Sequence, residues 1–173
     1  MDLSRLAPSD VVVALRGFER RYRGLFAGLG EDESPDDVAH RMVEGWSAIG
    51  HIVAAAWGIA ALDRALAAVL TDDRPALAAV DVDPQARPKP GGVTGTVHER
   101  LSELGLEANA AADRVDATSA RDWDRTGTVD DSRRTVTALD LARQAVEVGV
   151  DHLRGAERVL AAVRRSAPPP DLT

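Results

Sequence analysis

The chain has 173 residues, of which 45% are hydrophobic but only 3% aromatic, and it carries a net charge of −7 from 21 basic and 28 acidic side chains. That length fits one domain able to bury about 70% of its unfolded surface, and the acidic balance argues against nucleic acid, whose binding rests on phosphate neutralisation. With no cysteine, disulfides, thiolate metal sites and a cysteine nucleophile are excluded, although use of a small thiol cosubstrate is not.

The apolar content is mostly Ala, Val and Leu. Ala and Leu favour helix, and small Ala-rich faces let helices approach closely, so an all-α bundle is expected. Met1 to Asp10 carries no charged segment followed by an apolar stretch of the secretory kind. No apolar run reads as approaching the roughly 18 residues of a spanning helix. No membrane association and a cytoplasmic location are expected.

Pro8-Ser9-Asp10 opens a first predicted helix near 9–29, with Ser9 or Asp10 available to cap its free amides. Val12, Leu15, Phe18, Tyr22 and Leu25 then recur at helical spacing, and Gly30 stops it. Ser34-Pro35 starts a short helical turn through Met42, after which Glu44-Gly45 breaks the chain. Ser47 caps the second helix, 47–71, whose buried face carries Ile49, Ile52, Ile59, Leu66 and Val69. Residues 80–92 hold Pro84, Pro88, Pro90 and Gly91-Gly92 and read as a crossover, with one helical turn near Leu77.

Thr94 or Thr96 begins the third helix, 95–116, with Leu101, Leu104, Ala108 and Val115 along one face. Thr118 to Arg134 is a connector that pairs as a short hairpin around Asp130-Asp131. Thr135 or Thr137 caps the fourth helix, 136–165, and Arg164 and Arg165 suit its C-terminal dipole. The expected architecture is a single domain over 1–167, a four-helix bundle with a long crossover between helices two and three, then a disordered tail at 168–173.

Four segments fall in a suggestive order: Arg20-Arg21-Tyr22-Arg23-Gly24-Leu25, Gly45-Trp46-Ser47-Ala48, Asp122-Trp123-Asp124-Arg125-Thr126-Gly127 and His152-Leu153-Arg154. Over roughly residues 14–163 this order resembles the DinB-like superfamily of four-helix bundles, particularly its actinobacterial members. The resemblance implies a homodimer, and the stripe Ala60, Ala61, Ala65 and Ala68 is a face suited to pairing. It also implies three metal-binding histidines, one eight residues after the tryptophan and two in an H-x-x-x-H-H run on the last helix. In mycothiol-dependent transferases and isomerases of this kind, a divalent metal (zinc or nickel) stabilises the thiolate and makes it nucleophilic near neutral pH.

The matched positions here are Ala54, Glu147 and Asp151, with His152 at the second residue of the doublet. Two functional readings follow. In the first, the metal site is degenerate and the bundle is non-catalytic, binding a small molecule or a partner, with Ala54, His152, Trp46 and Trp57 around its pocket. In the second, His51, one helical turn before Ala54, joins Glu147 and Asp151 in a rebuilt one-His, two-carboxylate metal site that serves a thiol-cosubstrate transferase or isomerase.

A plainer reading stands beside both. Arg143, Glu147, Asp151, Arg154 and Arg158 follow i, i+3 and i+4 spacing, which also describes a solvated, salt-bridged face. His40 and His98 read as solvated side chains. Residues 90–96 lack the strand and the Gly-Lys-Ser or Gly-Lys-Thr end of a phosphate loop. No catalytic residue is assigned.

Overall fold

The computed structural model describes residues 3–30, 33–83, 89–90, 92–130 and 134–166. The chain is a four-helix bundle in which small strands play a minor part. Its elements are α1 (Pro8–Arg16), α2 (Phe18–Gly24), α3 (Pro35–His40), β1 (Met42–Val43), β2 (Trp46–Ser47) and α4 (Ala48–Thr71). They continue with β3 (Ala76–Leu77), α5 (Ala79–Val82), α6 (Val97–Ala117), β4 (Thr126–Val129), β5 (Arg134–Thr137) and α7 (Ala138–Ser166). The expected tail at 168–173 lies outside the described residues.

The central pair is α4 and α7, with α6 against α4 and α1 closing the ring between α6 and α7. The starts of the three long helices are fixed by side chains. Ser47 Oγ accepts from Gly50 N at 3.0 Å. Thr96 and Glu99 form a capping box, and Thr137 Oγ1 accepts from Asp140 N at 3.0 Å while Asp140 Oδ2 accepts from Thr137 N at 3.1 Å. Each satisfies amides that the first helical turn leaves without intrahelical partners.

The first helix is not continuous over 9–29. Gly17 is a turn residue between α1 and α2, its amide shared between the carbonyls of Val13 and Ala14. Ala7 rather than Ser9 is the cap residue of α1, and Asp10 Oδ2 accepts its amide at 3.1 Å.

The connector before α7 does pair as a hairpin. β4 and β5 are antiparallel with Thr126 opposite Thr137, and β3 adds to β4 in parallel. The residues near Leu77 are therefore strand, with the helical turn displaced to α5. Gly127 permits this sheet to lie on the bundle, because any Cβ there would meet Leu77 and Val69 at 3.0 Å or less.

The Ala stripe proposed for pairing is not a free surface. Ala61 and Ala65 are buried in the core, while Ala60 and Ala68 are half-buried. Nor is α4 short of apolar length: over its 24 residues it is long and apolar enough, by length and composition, to cross a membrane. Within the bundle that surface is covered, since α6 and α7 pack along it. Buried Ile49, Ile52, Ile59 and Leu62 on α4 face Leu104 from α6 and Leu141 from α7 across one core.

Candidate ligand pocket

Sequence at the start of α4 builds a small aromatic platform. Glu44 and Gly45 take positive φ values of 51° and 80°, the pattern of a two-residue hairpin turn that matches the strand twist. Their turn pairs Val43 with Trp46 and Met42 with Ser47. Trp46 is thereby held against the first turn of α4, over Gly50, where an added Cβ would lie 3.7 Å from Trp46 Cε3. One residue on, the His51 ring stacks beneath the indole, with centroids 4.4 Å apart and planes within 9°. Lys89 Nζ lies 5.5 Å from the Trp46 ring centroid, a cation–π distance.

From across the bundle, α7 supplies the other half. His152 Nδ1 is 3.1 Å from His51 Nδ1, and the two ring centroids are 5.4 Å apart. Gly155 makes room for this contact, because any side chain there would overlap the His51 ring. Of two facing nitrogens only one can donate, so one imidazole presents an N–H and the other a lone pair. His51 is buried, and burial, followed by the fields of His152 and Arg158, pushes its pKa down to about 4. The charged form is disfavoured because its hydration is lost and a second positive charge there is repelled by the Arg158 guanidinium and by the His152 ring whenever that ring is protonated. At neutral pH His51 is an uncharged ring.

The platform opens on a cavity of about 440 Å³. Trp46, His51, Gly155 and Val159 line it, and Glu44, Arg158 and Arg165 bring charge to it. A second cavity of about 380 Å³ also has Trp46 in its wall, with His40, Met42 and Lys89. His40 is exposed there, its Nε2 3.0 Å from the carbonyl of Gly95.

Of the residues singled out from sequence, the fold brings together Trp46, His51 and His152. Glu147 and Asp151 are exposed, and Asp151 Oδ1 lies 3.7 Å from Arg154 Nη1 on the same face. Ala54 is half-buried, and Trp57 is 53% exposed instead of walling the pocket. His51, Glu147 and Asp151 therefore do not converge. Among the described residues no group of three or more His, Asp or Glu side chains is placed to hold a metal ion. The reason is helix register: Val148, Gly155 and Val159 are buried, so α7 turns positions 148, 152 and 155 toward α4 and positions 147 and 151 toward solvent.

Sequence reasoning passed over Gly155 and the pairing of Arg158 with Arg165 beside the cavity. A glycine three residues after a histidine, on the inner face of a long helix, was the available signal.

No family profile matches the sequence, and no curated protein matches it. Among solved structures, the chain is similar to YfiT from Bacillus subtilis, described as a probable metal-dependent hydrolase with an unusual four-helix bundle topology. The TM-score is 0.63 at 14% sequence identity, over 91% of this chain and 86% of that one. At that identity the likeness establishes the fold, a four-helix bundle.

A divalent metal finds an incomplete ligand set here. Zinc sites take three or four protein ligands, at about 2.0–2.1 Å from each nitrogen. This chain offers two imidazoles that face each other, with no third ligand among the described residues. The residues present do not fit a three-ligand centre.

Proposed function

We propose that this chain is a DinB-like bundle that binds a small molecule, non-catalytically, in the cavity beside Trp46. The observation that carries the reading is the Trp46–His51–His152 cluster facing an open cavity of about 440 Å³. That volume falls within the range of ordinary small-molecule pockets, which combine apolar walls with a few placed polar groups. Here the wall is an indole stacked on an imidazole, and the polar groups are ring nitrogens and guanidinium N–H donors. A positioned nucleophile with its base and orienting partner is not among the lining residues.

One observation favours a second reading, a divalent-metal enzyme using a thiol cosubstrate. At 3.1 Å, two Nδ1 atoms are also close enough to reach a single ion, and YfiT is described as a probable metal-dependent hydrolase. Metal content of protein purified without chelator, then supplemented with zinc or nickel and desalted, separates the two. The binding reading expects no stoichiometric ion. A stoichiometric ion that is lost in His51→Phe would replace it with the enzyme reading.

A further inference from the structure

Resting on the cavity beside Trp46 as a binding pocket, we propose that its ligand is a small organic anion. Its carboxylate or phosphate is held by Arg158 and Arg165, and its flat portion lies against Trp46. The arginines near the end of α7 divide by what they touch. Arg154 lies near Asp151, and Arg164 Nη2 donates to the carbonyl of Leu25 at 3.3 Å. Arg158 and Arg165 line the cavity, and among the described residues neither has an ion-pair or hydrogen-bond partner.

Seven residues apart, they share one helix face two turns from each other, about 10 Å along the axis. Side chains of that length can close on one anionic group from two sides. Offsetting the helix dipole accounts for Arg165 in the last turn but not for Arg158 two turns earlier, since that effect fades within the final turn. Guanidinium forks match carboxylate and phosphate geometry bidentately. The basic pair stands out on a chain whose net charge is −7, so an anion drawn to this face has a local reason to be there.

Trp46 lines the same cavity as the two arginines. His51 stacks on one side of Trp46 and brings no competing charge at neutral pH, and Lys89 lies 5.5 Å from the indole centroid, so an unsaturated ligand meets the Trp46 ring beside a further cation. Glu44, also lining the cavity, opposes an anion and limits how much negative charge the pocket accepts.

The test is a titration of ¹⁵N-labelled protein with benzoate, phenyl phosphate and neutral benzamide, following the Trp46 indole and Gly155 amide resonances. Benzoate or phenyl phosphate should shift both resonances, and benzamide should bind at least about tenfold more weakly, a difference of about 1.4 kcal/mol. Arg158→Gln and Arg165→Gln should each weaken the anions by about fivefold, and Glu44→Gln should tighten them, all with unchanged circular dichroism. The anion binding should also weaken with added salt. The tighter of the two anions identifies the favoured group. Benzamide binding as tightly as benzoate, or a folded double Arg variant with undiminished affinity, would overturn the anion assignment while leaving the pocket. If none of the three probes moves Trp46 or Gly155, the binding reading falls with it.

Discussion

His51 lies between an indole and a second imidazole, buried, with Arg158 close enough to press on its charge. In the unfolded chain it titrates near 6.5, whereas in the fold burial, then the fields of His152 and Arg158, hold it at about 4. Between those values the unfolded state takes up a proton that the folded state refuses. Its contribution is therefore fully present above about pH 6.5 and is lost as pH falls toward 4. Urea midpoints at pH 7.5, 5.5 and 4.5 should drop less steeply in His51→Phe than in the parent, and parallel lines would refute the assignment.

Gly155 gives a steric test of the same contact. Gly155→Ala forces a methyl into the His51 ring and should cost about 1–3 kcal/mol by overpacking. Gly24→Ala, where an added Cβ meets nothing within 4 Å, should be near neutral. Thermal denaturation of the two variants compares them directly. Trp46 and His51 were legible through the resemblance, Trp46 in its Gly45-Trp46-Ser47-Ala48 segment and His51 one turn before the matched Ala54. Arg158 and Arg165 were not, since arginines near a helix end have an ordinary reason to be there.

At the level of elements, the Asp122-Trp123-Asp124-Arg125-Thr126-Gly127 segment is a clasp on the end of α4. Arg125 Nε donates to the carbonyl of Val69 at 2.8 Å, and its Nη2 donates to that of Asp72 at 2.7 Å. These carbonyls belong to the helix end, which lacks intrahelical donors. Arg125→Ala should therefore lower stability by about 1–3 kcal/mol, as measured by urea unfolding. No change would show that solvent satisfies these carbonyls equally well.

The long helices α4, α6 and α7 were readable from apolar spacing and capping residues, because period and cap act locally. The break at Gly17 was not, since the apolar positions on either side continue the same stripe. The two-residue strands β1, β2 and β3 escaped for a related reason: alternation needs more residues than they possess. The site slipped by one position on α7. An acidic pair at 147 and 151 and a Val148–His152 pair are both i, i+4, and only packing shows which faces α4. Val148→His, adding an imidazole to the face that holds His152, should raise zinc affinity at least about tenfold, about 1.4 kcal/mol, in calorimetry on folded variant. Glu147→His alone, which places one imidazole on the solvent face, should leave it unchanged. Equal behaviour of the two variants would reject the register.

Across the whole molecule, α4 is the axis on which the other long helices pack. Its apolar surface is enclosed by α6 and α7, its start carries Trp46 and His51, and its end is clasped by Arg125. α7 meets it along the bundle and brings His152, Gly155 and Arg158 to one end. What distinguishes this molecule is that the two imidazoles at that end are bonded to each other beneath an indole. The imidazole ¹⁵N spectrum of histidine-labelled protein, recorded at neutral pH with and without equimolar zinc, tests this most directly. Of His51 and His152, one Nδ1 should be protonated and the other an unprotonated acceptor, in both samples alike. Movement of both Nδ1 resonances to metal-bound positions on adding zinc would contradict it.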